Sequence, residues 1–150
     1  MKVYLENAAA TEALGAAVGK VLFSGAVVLL TGDLGAGKTL FSKGLAVVRG
    51  VAAQDVVSPT FTLMNVYNGD LEIRHFDLYR LQAEEELDDI GFDEYCGGEG
   101  ITLIEWADLF LDRMPQEYLM VKIQRQGEGR EAQLVAVGEE YTEVLEKLAC

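Results

Sequence analysis

The segment "VVLLTGDLGAGKTLFSKG", residues 27–44, sets Gly32, Gly37, Lys38 and Thr39 in the spacing G-x-x-x-x-G-K-[ST]. Each residue type has a physical reason to stand there if the segment wraps a phosphate. Gly32, Gly35 and Gly37 reach positive φ without a Cβ penalty and let the backbone come close to a ligand. Consecutive backbone N–H groups then point at phosphate oxygens. The start of a following helix adds its dipole and its unpaired N–H groups. Lys38 would reach the β- and γ-phosphates, and the Thr39 hydroxyl would ligate Mg²⁺. The chemistry implied is the binding of a nucleoside triphosphate. An ordinary strand–turn–helix corner with tight-turn glycines is the alternative, and it leaves the Gly-Lys-Thr triplet unexplained.

Such a site also needs an acid at the end of a buried strand, to hold the Mg²⁺ shell or to orient water. Two positions compete. Glu105 ends "ITLIE", four mostly apolar residues and then an acid, and on pattern it is the better metal-side acid. Asp77 follows "LEIRHF", which alternates more and reads as less buried; capping of the next turn is an equal alternative for it. His75 is the only histidine and reads as a structural residue in a strand, so it is not assigned as a base. Trp106, also unique, reads as core, with shielding of the site beside Glu105 as the alternative.

These residues need elements to position them. "KVYLE" reads as a short first strand, and Thr11 as the N-cap of a helix to about residue 22. "AVVLLT" is a continuous apolar run, the signature of a strand buried on both faces of a parallel sheet. "KTLFSKGLAVVR" reads as a helix ended by Gly50. "DVVSPTFTLMNVY" and "LEIRHFDLYRL" flank "NGD", a hairpin signal. "AEEELDDIG" reads as a short acidic helix, "CGGEG" as a loop, "ITLIEW" as a second buried strand, and "ADLFLDRM" as a short helix stopped by Pro115. "YLMVKIQ" and "EAQLVAV" pair across "RQGEGR", and "YTEVLEKLA" is a final helix. The pattern predicts an α/β fold with a parallel core and antiparallel hairpins at the edge.

Composition narrows the function. The 150 residues, 50% of them hydrophobic, suit one compact domain. No apolar run is long enough for a membrane span, and no signal peptide is read, so a cytoplasmic location is expected. Neither Cys96 nor Cys150 sits in a metal-binding pattern, and both are expected as free thiols. The formal charge of −13, from 25 acidic and 12 basic residues, argues against holding nucleic acid directly. Residues 83–112 hold eleven Asp or Glu and no Lys or Arg. They read as a solvated face, with a docking face for a basic partner as the sharper alternative.

Four segments, "GDLGAGKT", "SPTFTL", "HFDLYRL" and "IEWAD", in this order and with these gaps, resemble the TsaE (YjeE) family of bacterial P-loop ATPases. Members of that family are accessory proteins in forming threonylcarbamoyladenosine at position 37 of tRNAs that read codons starting with A. The resemblance runs from Thr11 to "GREA", residues 129–132. It implies a P-loop NTPase fold, with a mixed central β-sheet flanked by helices, as a single ATPase domain over residues 1–150. It implies ATP and Mg²⁺ as cofactors, Thr39 and Glu105 as Mg²⁺ ligands, and Lys38, Asp77 and Glu105 as the catalytic residues. Asp77 would lie near the γ-phosphate, orienting water or accepting its proton. Gly35, Ala36, Gly37, Lys38, Thr39 and Leu40 would surround the phosphates, with Thr60 of "SPTFTL" in a switch segment near the γ-phosphate and Mg²⁺. Thr11 and Arg130 would lie near the nucleotide. The resemblance further implies a weak ATPase that depends on a TsaD–TsaB complex, the tRNA being met only through that complex and no membrane being involved. The C-terminal "YTEVLEKLAC" carries no family-typical motif.

Three other readings stand beside this one. A small-molecule kinase on the same loop would need an arginine-rich lid and an acceptor-binding insert, whereas the six arginines are scattered. A GTP-dependent switch would need an Asn-Lys-x-Asp segment, which the chain lacks. An adaptor that binds nucleotide without hydrolysing it is left open.

Overall fold

The computed structural model describes residues 1–33, 37–59 and 62–149. Gly35, Ala36, Thr60 and Cys150 lie outside the described residues. The strands are β1 (Lys2–Leu5), β2 (Val27–Gly32), β3 (Met64–Asn68), β4 (Glu72–Asp77), β5 (Ile101–Glu105), β6 (Tyr118–Gln126) and β7 (Gly129–Val137). The helices are α1 (Ala8–Val21), α2 (Lys38–Val48), α3 (Glu86–Asp89), α4 (Phe92–Tyr95) and α5 (Glu139–Ala149), with 3₁₀ turns at Ala53–Asp55 and Ala107–Arg113. Among the described residues, no helix is long and apolar enough to cross a membrane.

The strands form one mixed sheet in the order β1-β7-β6-β2-β5-β4-β3. β2 pairs in parallel with β5 and with β6, and β4 pairs in parallel with β5. The pairs β3–β4, β6–β7 and β1–β7 are antiparallel. The expected parallel core with antiparallel additions is therefore what forms. β2 is apolar from Val27 to Leu30 because both faces are covered. Val28 and Leu30 point into a core shared with Phe41, Leu45 and Val18. Val27 and Leu29 point into a second core with Phe76, Phe92 and Ile104 on the other side.

Three local expectations are corrected. Thr11 is not a cap: Asn7 is, its side-chain oxygen accepting from the Ala10 N–H at 2.9 Å, and Thr11 sits buried inside α1. Asp77 is not the less buried acid: β4 is buried from Ile73 to its end, and Asp77 is 4% exposed. The alternation of "LEIRHF" misled because His75 and Arg74 are polar residues with buried partners. The strand expected from residue 55 begins only at Met64.

Small residues set how closely the elements approach. A Cβ on Gly15 of α1 would fall 2.0 Å from the Phe41 carbonyl of α2, and one on Gly44 of α2 would fall 2.0 Å from the Glu12 carbonyl of α1. The two helices thus pack backbone to backbone beside the phosphate loop.

Candidate nucleotide site

β2 delivers its last residue, Gly32, against β6 (φ 127°, with a Cβ placed 1.9 Å from the Ile123 carbonyl), so only glycine fits there. Gly37 is the left-handed N-cap of α2 at φ 113°, and Lys38 and Thr39 begin the helix. The strand and the helix required by the phosphate-loop pattern are present as β2 and α2, and Thr39 is half-buried in the first turn of α2.

The Lys38 side chain is buried and folds back over the loop. Its ammonium donates to the Gly32 carbonyl at 2.7 Å and to the Asp33 carbonyl at 3.3 Å, and lies 3.7 Å from the centroid of the Trp106 ring. Burial pushes the Lys38 amine below its ordinary value, and the carboxylates of Glu105, Asp108, Asp77 and Asp33 oppose that shift. A desolvated cation resting on neutral carbonyls and a π face is suited to receive an anion.

The two acids stand side by side at the carboxyl ends of adjacent parallel strands. Asp77 pairs with Glu105, and Glu105 pairs with Leu30, two residues before Gly32. Ile73, His75 and Asp77 share one face of β4, and Leu103 and Glu105 share the matching face of β5. Both acids are nearly enclosed, at 4% and 3% exposure. Asp77 Oδ1 accepts from the Tyr79 N–H at 3.0 Å, so the capping alternative for Asp77 is present as well. Glu105 Oε2 lies 2.6 Å from His75 Nε2, and His75 Nδ1 lies 3.1 Å from the Tyr67 hydroxyl. Sequence reasoning left His75 outside the site. The signal that could have found it is the i, i+2 spacing of His75 and Asp77, which places both on one face of a strand ending in an acid.

Trp106 departs from the core reading. It is half-buried, adopts φ 63°, and stacks on Tyr79 with ring centroids 4.8 Å apart while covering Lys38. A left-handed conformation at a bulky residue is held only where its surroundings impose it. Here the Trp106 N–H donates to the Leu30 carbonyl at 3.0 Å, which turns the chain sharply at the end of β5.

On the other side of the loop is a cavity of about 170 Å³ lined by Thr11 and Ala8 of α1, Gly37, Leu40 of α2, and Glu128, Gly129 and Arg130 of the β6–β7 hairpin, with Leu5 and Asn7. Gly37 follows Thr11 by 26 residues and Arg130 follows Leu40 by 90, yet the four share one wall. The pairing of Leu5 with Arg130 brings the hairpin there. Arg130 Nη1 donates to the Gly129 carbonyl at 2.9 Å.

The oxygen donors of Thr39, Glu105 and Asp77 suit a hard cation such as Mg²⁺. Among the described residues, no group of three or more His, Cys, Asp or Glu side chains could hold a metal by itself. A cation at Thr39 and Glu105 would need phosphate and water oxygens as well, which is the usual situation of Mg²⁺ beside a nucleotide.

Known proteins share this sequence and fold. A family model described as "Threonylcarbamoyl adenosine biosynthesis protein TsaE" matches residues 5–133. The tRNA threonylcarbamoyladenosine biosynthesis protein TsaE of Bacillus subtilis is 43% identical over 145 residues, covering 95% of this chain and 90% of that protein. Its namesake in Treponema pallidum is 38% identical over 136 residues, covering 91% of this chain and 100% of that protein. A crystal structure of YdiB from Bacillus subtilis superposes with a TM-score of 0.81 at 36% identity, covering 99% of this chain and 93% of that one. The match from β1 to β7, in both sequence and fold, shows that the chain belongs to the TsaE family, whose members take part in tRNA threonylcarbamoyladenosine biosynthesis.

Proposed function

We propose that the protein binds ATP with Mg²⁺ between the phosphate loop and the two strand-end acids and hydrolyses it slowly. It would do so in the cytoplasm, as one ATPase domain serving a TsaD–TsaB complex that forms the threonylcarbamoyl group on adenosine 37 of tRNAs reading ANN codons. One observation carries this reading. Lys38, Asp77 and Glu105 converge at the carboxyl ends of β2, β4 and β5, in register.

In this reading the Lys38 ammonium exchanges the Gly32 and Asp33 carbonyls for β- and γ-phosphate oxygens. Backbone N–H groups at the start of α2 receive the phosphates beside it. Thr39 and Glu105 hold the Mg²⁺, which neutralises charge on the transferring phosphoryl group. Asp77 orients the attacking water or takes its proton. Trp106 keeps bulk water from Lys38, which strengthens the lysine's attraction for phosphate. Thr11, Leu40 and Arg130 border the nucleoside end in the neighbouring cavity. The kinase reading lacks a lid: of the six arginines, Arg49, Arg74 and Arg113 are engaged with acids distant from the loop.

The test is ATP binding by Lys38→Ala compared with the unaltered protein. Loss of at least about a hundredfold in affinity is expected from removing the cation proposed to meet the phosphates. Unchanged affinity would overturn the assignment.

A further inference from the structure

A buried line of hydrogen bonds runs from the backbone at Val57 to Glu105. The Tyr67 hydroxyl donates to the Val57 carbonyl at 2.7 Å, and a carbonyl oxygen can only accept. The single hydroxyl hydrogen is therefore committed. Toward His75 Nδ1, 3.1 Å away, the Tyr67 oxygen acts as acceptor, so Nδ1 carries a hydrogen. The 2.6 Å approach of Nε2 to Glu105 Oε2 requires another hydrogen between them. His75 is fully enclosed, and Tyr67 and Glu105 are 4% and 3% exposed, so water does not compete with the two bonds of the imidazole; the Val57 end of the line is part-buried. The ring is also fixed edge-on to Tyr67. Any buried histidine must satisfy both ring nitrogens; what sets this one apart is which groups satisfy them. This one leads from the segment preceding "SPT" to the acid beside the phosphate loop.

We propose that His75, itself oriented by Tyr67, is a positioning residue that fixes the Glu105 carboxylate for a divalent cation and ties it to the backbone at Val57. The inference rests on the reading of Glu105 as the metal-side acid. With Oε2 engaged by the imidazole, Oε1 is the oxygen turned to the cation or its water, and the carboxylate cannot rotate without breaking a buried bond. Partners of this kind behind a metal ligand commonly affect metal affinity by about 10- to 100-fold.

The experiment measures the affinity of a fluorescent ATP analogue in EDTA and across a Mg²⁺ titration, for the unaltered protein, Tyr67→Phe, His75→Leu and Glu105→Gln. Thermal unfolding establishes that each variant is folded. Tyr67→Phe removes one oxygen atom and is the variant that keeps the test valid if His75→Leu does not fold. Expected for Tyr67→Phe is an affinity in EDTA within about twofold of the parent and a Mg²⁺ half-saturation raised about tenfold. In the tag-free protein His75 is the only histidine, so its ¹⁵N resonances are unambiguous, and Nδ1 should be found protonated. A Mg²⁺ half-saturation unchanged in folded Tyr67→Phe but raised in Glu105→Gln overturns the positioning role alone. So does an Nδ1 without a hydrogen. A Mg²⁺ dependence unchanged in Glu105→Gln overturns the metal-side reading of Glu105 and this inference together.

Discussion

At the scale of single residues, Glu105 answers to two neighbours at once, the loop lysine and His75, and its substitutions separate the two roles. Glu105→Ala leaves a fully buried imidazole nitrogen without its partner and should cost about 1–3 kcal/mol in urea unfolding. Glu105→Gln keeps an oxygen in place and should cost less, while phosphate release falls in both. A Glu105→Gln protein with full turnover would move the metal role to Asp77. A residue far from the loop gives a second prediction. Burial pushes the Cys96 thiol up to about 12. At pH 8 the folded protein then holds about a thousandfold less thiolate than a free cysteine. A Cys150→Ser variant should therefore react with a disulfide reagent at least about a hundredfold more slowly than free cysteine, and the difference should vanish in urea. Reaction at the free-cysteine rate in the folded state would contradict the burial of Cys96.

At the scale of elements, the site depends on how closely α1 and α2 approach, because α1 carries Thr11 and α2 carries Lys38. Gly44→Ala would press a methyl group onto the Glu12 carbonyl. It should destabilise by about 1–3 kcal/mol in urea unfolding and weaken ATP binding with it, and a neutral Gly44→Ala would contradict the packing described. The elements legible in the sequence were those whose signal is local. The apolar run of β2, the helix α2 with Gly50 after its end and the final helix α5 can be read without knowing what packs on them. β4 was misjudged because its polar residues are buried by partners remote in sequence: Arg74 reaches Thr102 of β5, and His75 meets Glu105. The same blindness hid the His75–Glu105 contact and the lysine-facing Trp106. Thr11 was taken for a cap because threonine caps well, whereas Asn7, four residues earlier, caps the helix and Thr11 faces the cavity. Its expected place near a nucleotide came from the family resemblance and not from spacing.

At the scale of the whole molecule, the charge of −13 is not one uniform acidic surface. Arg113, the first residue after the acidic stretch, gathers Asp88, Asp93 and Glu84, and Glu86 accepts from the Gln82 and Ala83 N–H groups, so part of that acidity holds α3 and α4 in place. Membership of the TsaE family joins this acidic chain to a tRNA modification. In the account proposed here, a partner holds the tRNA. The isolated protein should accordingly give no tRNA shift in a gel at about 0.15 M salt, since that binding needs a basic footprint to release counterions. A specific shift by the protein alone would contradict the division of labour. The most direct test of the central claim is ATP turnover by the purified chain, measured with Mg²⁺, with and without the TsaD–TsaB complex. The account predicts slow phosphate release by the chain alone, a clear rise with the complex, and loss of both in Lys38→Ala. Absence of phosphate release in either condition, with ATP still bound, would contradict it and leave a nucleotide-binding adaptor.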